Sequence, residues 1–142
     1  MRKLILVIVA LLPCCLAALA QGDSTFVGTV YNKEYSIYMV LNAKDKNVVI
    51  PGQELFGEMA GYIGDQKHSY KWFVLDCEPK SKNAVTLQVS NEEGSEDFEA
   101  LFTLENDTLY KFRQIDGKTL KIARNGKWQK LPQTITFTRK KP

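Results

Sequence analysis

His68 and Cys77 are the first residues in this chain with chemistry to weigh. His68 is the sole histidine. A zinc site of the His or His/Cys type needs three or four ligands, and these two supply half of one. Carboxylates would have to complete it, and no spacing suggests them. As a nucleophile and base, the same pair would need Cys77 as a thiolate. Cys77 closes an apolar run over residues 70–77, where a free cysteine behaves as a small, inert hydrophobe. The acidic pairs Glu92-Glu93 and Glu96-Asp97 have the residue type for glycoside cleavage, which needs two carboxylates facing each other across a cleft. They sit in a polar connection that reads as solvated. No nucleophile elbow is present. Gly52, Gly57, Gly61 and Gly64 lack the preceding strand, the following helix and the Lys-Ser or Lys-Thr of a phosphate loop. The reading is a protein that is not an enzyme and carries no metal or cofactor.

Binding chemistry remains. Phe56, Trp72, Tyr110 and Trp128, with Phe112, have the size and type to line an apolar pocket; the competing expectation is that they fill a core. Lys111, Arg113 and Lys121 fall on a single outward face in the register derived below. Charge along the chain is also split. Residues 108–142 hold ten Lys or Arg and one acid, Asp116, whereas residues 21–107 hold seven basic and fifteen acidic residues. Either the two halves neutralise each other across strands, or the basic half faces an acidic partner. The expected partners are therefore a small apolar ligand in a barrel mouth or an acidic macromolecule on a basic face. Nucleic acid is not expected, because the aromatics point inward rather than interleaving with the basic residues.

Residues 1–20 have the layout of an export signal. Arg2-Lys3 is followed by an apolar run, and Ala18-Leu19-Ala20 offers a small-x-small cleavage site before Gln21. No second apolar run is long enough to span a membrane. The protein is thus expected in the periplasm or outside the cell, with an outer-membrane lipoprotein anchored through Cys14 or Cys15 as the alternative; Pro13 stands where a lipobox wants a small residue. After cleavage one cysteine, Cys77, remains, so no intramolecular disulfide is available. Residues 21–142 have the size of one domain, whose stability must come from a core.

The elements that position these residues follow from alternation and turn chemistry. The alternating runs are 25–31, 35–41, 70–77, 85–89, 98–104, 109–113, 120–122 and 135–137. Residues 70–77 are apolar on both faces, which requires a cover on the outside: the amino-terminal segment, the region 57–64, or a partner. A short helical turn over 54–60 is disfavoured by its glycines. Asp116-Gly117 and Asn125-Gly126 are hairpin signals. Opposed residues in an antiparallel pair share a face. Three-residue loops at 115–117 and 124–126 put Phe112 opposite Leu120, Tyr110 opposite Ile122, and Ile122 opposite Trp128. A loop at 105–107 puts Phe102 opposite Tyr110, Ala100 opposite Phe112 and Glu99 opposite Arg113. The expected fold is all-β, an antiparallel up-and-down meander closing into a small barrel of about eight to ten strands.

Gly28 followed by Tyr35-x-Ile37-x-Met39-x-Leu41, and Gly126-Lys127-Trp128 leading to a final Phe137 strand, carry a family likeness. The mature chain resembles the small secreted lipocalin-like or avidin-like meander barrels of Gram-negative, Bacteroidetes-type bacteria. The likeness implies a fold, and a fold does not fix a function. The expectation is an exported binding module, or else a structural or protein-interaction domain, such as an enzyme inhibitor, with a filled barrel.

Overall fold

A β-strand that alternates in polarity can bury one face, and a ring of such strands buries all of those faces at once while leaving no free edge. The computed structural model describes residues 24–142 and shows this solution. The expected leader, residues 1–20, lies outside the described residues. Twelve strands run along the described residues: β1 Val27–Asn32, β2 Ile37–Asn42, β3 Val48–Val49, β4 Glu58–Met59, β5 Gly61–Asp65, β6 Trp72–Ser81, β7 Ala84–Asn91, β8 Asp97–Leu104, β9 Leu109–Gly117, β10 Lys121–Arg124, β11 Lys127–Lys130 and β12 Thr134–Thr138. Eight of them close an antiparallel barrel in the order β1-β2-β5-β6-β7-β8-β9-β12 and back to β1. Each wall strand neighbours the next wall strand in sequence, as an up-and-down meander requires. Two excursions leave the wall as separate two-stranded ribbons, β3–β4 and β10–β11.

The seam between β1 and β12 rests on one register pair, Tyr31 with Thr138. Side chains reinforce it. Asn32 Nδ2 donates to the Thr136 carbonyl at 2.8 Å. Arg139 Nη1 donates to the Val27 carbonyl at 3.1 Å.

The doubly apolar strand β6 is covered from outside by the first excursion. Phe73 of β6 and Tyr62 of β5 pack against buried Ile50, with Val48 and Met59 of the β3–β4 ribbon beside them. A 3-10 turn, Glu54–Phe56, bridges the two short strands, and the Phe56 ring lies 5.5 Å from that of Phe73.

Three registers differ from the sequence expectation, each for a local reason. Phe102 faces Phe112, and Leu104 faces Tyr110. The β8–β9 loop is longer than three residues because Asn106 Oδ1 accepts the Thr108 and Leu109 N–H groups and so closes a wider turn. The shift is even, so Phe102, Tyr110 and Phe112 still point inward and are buried. A bulge between Glu99 and Ala100 then sets Glu99 opposite Asp116, while Arg113 faces Leu101 instead of Glu99.

At Gly117 there is no hairpin. β9 continues to this residue, paired with Phe98, and its other neighbour is β12: Phe112 faces Ile135 and Tyr110 faces Phe137, not Leu120 and Ile122. Gly117 has φ +98°, and a Cβ there would sit 2.5 Å from the Asp97 carbonyl oxygen, so glycine is required for conformation and for room alike.

At the third turn, Asn125 (φ 54°) and Gly126 (φ 74°) are both left-handed. This is the two-residue type I′ turn that Asn-Gly favours. It pairs Ala123 with Trp128 and Ile122 with Gln129. Trp128 therefore shares no face with Ile122.

Candidate functional site

The barrel interior is filled. An aromatic column crosses it: Trp72 to Phe98 at 5.7 Å, Phe98 to Phe112 at 6.2 Å, Phe112 to Phe137 at 5.8 Å, Phe137 to Phe102 at 6.1 Å, and Phe102 stacked on Tyr110 at 4.8 Å. The hollow at each end of the barrel has a volume of about 10 Å³. That is the size of a single water site. Among the described residues, the interior offers no ligand chamber. At one end, Arg139 lies 5.4 Å over the Tyr110 ring and donates to its hydroxyl and to the carbonyls of Ser24, Thr25 and Val27.

The other end is closed by the β10–β11 ribbon, with Leu120, Ile122 and Leu131 buried beneath it. Arg124 latches the ribbon down. Its guanidinium donates to Asp65 Oδ2 at 2.6 Å and Oδ1 at 2.9 Å, and to the Tyr35 carbonyl at 2.7 Å. The Asp65 side chain is 5% exposed and that of Arg124 is 18% exposed, so this is a bidentate pair held largely out of water. The Trp72 indole N–H adds a bond to the Lys121 carbonyl at 3.1 Å.

The residues expected to form sites disperse as follows. Trp72 and Tyr110 are buried in the column. Phe56 is half-exposed on the outer 3-10 turn, beside the fully exposed Leu55. Lys111 and Arg113 lie on the outer face of β9, where Lys111 pairs with Glu105 at 3.3 Å. Lys121 belongs to the ribbon instead, bound to Glu96 at 2.8 Å. The acidic half of the chain thus neutralises part of the basic half. Trp72, Lys121 and Trp128 do converge, at the ribbon. The Trp72 N–H holds the Lys121 backbone, and the Lys121 ammonium lies 5.6 Å from the centre of the Trp128 ring.

Trp128 is 51% exposed. Its ring meets that of Tyr70 edge-on at 5.0 Å, and Tyr70 meets Trp72 at 6.4 Å. Burial, and then the hydrogen bond it donates to Glu93, hold the Tyr70 hydroxyl well above the ordinary phenol range, so it stays a donor. Lys127 and Lys130 flank Trp128 on β11, both exposed and without an ion pair among the described residues. On the ribbon's other face an open hollow of about 280 Å³ is bounded by Glu34, Tyr35, Lys67, Ile122, Arg124 and Gln129.

Among the described residues, reaction chemistry finds no assembled site. Burial pushes the Cys77 thiol up to about 11, which disfavours the thiolate. The exposed His68 accepts the Tyr70 backbone N–H through Nδ1. Glu92 accepts the Lys71 N–H at 3.2 Å, and Glu93 accepts the Tyr70 hydroxyl. No three His, Cys, Asp or Glu side chains converge as metal ligands among the described residues. Nor is any helix there long and apolar enough to cross a membrane.

Sequence reasoning missed Tyr70 beside Trp128 and the Arg124–Asp65 pair that holds the ribbon down. The Asn125-Gly126 pair held the signal. Taken as a type I′ turn, it places Trp128 on the same ribbon face as Lys130, opposite Ile122. Comparison with protein-family models, with curated proteins and with solved structures returned no match.

Proposed function

We propose that this protein is an exported binding module that recognises an acidic partner on the outer surface of the β10–β11 ribbon, with Trp128, Lys127 and Lys130 as the contact residues. One observation carries the reading. A half-exposed tryptophan stands between two lysines that have no ion pair among the described residues, on a ribbon fastened to the barrel by the Arg124–Asp65 pair. An exposed aromatic on a rigid support supplies contact area at low entropic cost, and the Lys127 and Lys130 ammonium groups supply charge complementarity.

The filled interior supports surface recognition over ligand storage, and the eight-strand ring supports the likeness to lipocalin-like and avidin-like barrels in fold alone. Export rests on the leader; an exported protein whose mass begins at Gln21 supports it, and a lipid on Cys14 or Cys15 would make the protein membrane-anchored instead.

Titration with poly-L-glutamate and with dextran sulfate, against neutral dextran, tests the binding reading. Saturable binding to at least one polyanion that weakens steeply with salt is expected, because exposed charges are screened over about 8–10 Å at physiological ionic strength. Changing Lys127 and Lys130 together to glutamine should weaken it about 5- to 30-fold, from roughly 1–2 kcal/mol for two exposed charge contacts. Equal affinity of variant and wild type, or no polyanion binding at all, refutes the reading.

A further inference from the structure

From the backbone of the ribbon we infer that the acidic partner is an extended peptide segment that adds to β11 as a third strand. The inference rests on the ribbon being the recognition surface and names what binds there. Leu131 N–H donates to the Leu120 carbonyl at 2.9 Å, which fixes the phase of the antiparallel ladder. Bonded pairs alternate with non-bonded ones, so Ile122–Gln129 and Arg124–Lys127 exchange bonds across the ribbon. Ala123–Trp128 and Lys121–Lys130 do not. The N–H and C=O groups of Trp128 and Lys130 therefore point away from β10, and among the described residues no strand pairs with that edge.

An open strand edge is a template for another chain. This one is pre-formed: the type I′ turn sets its twist, and the Arg124 latch and the Trp72 indole fix its position. Its lysines decide what is admitted. Two copies of β11 would set Lys127 and Lys130 against like charges, which guards against self-pairing. The same lysines favour a strand that brings carboxylates. Because side chains alternate, Lys127 and Lys130 lie on opposite faces, and Trp128 shares a face with Lys130. A matching antiparallel segment therefore reads acidic, polar, apolar, acidic, with the apolar residue opposite Trp128 and the carboxylates opposite Lys130 and Lys127.

The test uses the full mature protein and an end-blocked nine-residue peptide with a Glu-Thr-Val-Glu core, followed by calorimetry and by amide exchange in NMR. Two further peptides are methylated on alternate backbone nitrogens, in the two opposite phases. Strand addition predicts saturable binding and slowed exchange of the Trp128 and Lys130 amides, with Gln129 unchanged. It also predicts that one methylation phase binds at least about tenfold more weakly while the other binds like the parent. If methylation acts equally in both phases, or the Trp128 and Lys130 amides gain no protection, strand addition is overturned. Binding of dextran sulfate without binding of the peptide overturns strand addition and leaves the ribbon as an acidic-partner site. Failure of every probe removes both.

Discussion

Replacing Arg124 with alanine should be among the most damaging single changes outside the aromatic column. The guanidinium makes two bonds to Asp65 and one to the Tyr35 carbonyl. Its removal strands a carboxylate whose side chain is 5% exposed, with the Lys67 N–H at 2.9 Å as its remaining donor. Removing one partner of such a buried pair costs about 3–5 kcal/mol. The ribbon has an escape: it can lift and let water reach Asp65, which exposes Leu120, Ile122 and Leu131 at about 1.5–3 kcal/mol each. Lifting costs the more, about 4.5–9 kcal/mol for the three side chains together, and the two routes look different. If the ribbon stays, the whole barrel unfolds at lower urea in one transition. If it lifts, the Trp128 fluorescence of a Trp72→Phe background changes before the far-UV circular dichroism does. Adding Asp65→Asn to Arg124→Ala should recover more than half of the loss, because the stranded charge is gone. An Arg124→Ala protein with the wild-type midpoint and the wild-type Trp128 signal would refute the latch. The half-exposed Lys46–Asp76 pair at 2.7 Å is the control, and Lys46→Ala should leave the midpoint where it was.

The two glycines should separate by mechanism. Gly126→Val meets open space and carries the left-handed penalty alone, about 1–2 kcal/mol, whereas Gly117→Val also drives a Cβ into the Asp97 carbonyl and should cost clearly more by urea midpoint. Phe112→Ala should cost about 3–5 kcal/mol and open an apolar hole that binds benzene, which the wild-type barrel should not. Cys77 should make stability fall in alkali. Its thiol is pushed from 9.0 to about 11 by burial, so the folded state keeps a proton that the unfolded chain loses. The contribution is full below pH 9 and lost as pH rises through 11. Midpoints of wild type and Cys77→Ala followed from pH 7.5 to 11 should converge. Tyr62, pushed up to about 12 by burial, is common to both proteins and cancels in the comparison.

The inward faces were legible because parity survives an error of two residues: Phe102, Tyr110 and Phe112 are buried even though their partners are shifted. The double greasiness of residues 70–77 announced a cover. Its identity did not show, since β3 and β4 have two residues each and give no periodicity. The ribbon was misread for a related reason. Residues 120–122 alternate as a wall strand would, and what pulls them out is a non-local event, the pairing of β9 with β12. Trp128 was expected to face inward with Ile122 because a continuous inner face was imposed on the turn; the local preference of Asn-Gly for a two-residue turn prevailed. Of the basic residues, Lys111 and Lys121 find acids that no sequence distance reveals, Glu105 and Glu96, while Lys127 and Lys130, without an ion pair among the described residues, flank the exposed ring.

Recognition on the ribbon, outside the barrel, is most directly tested by mapping amide and indole shifts of the ¹⁵N-labelled protein as poly-L-glutamate is added. Shifts confined to the Trp128 indole, residues 127–130 and Tyr70 are the result expected here. Shifts centred instead on Val30, Leu41, Phe102 and Tyr110 inside the barrel, or on Lys111 and Arg113 of β9, would contradict it.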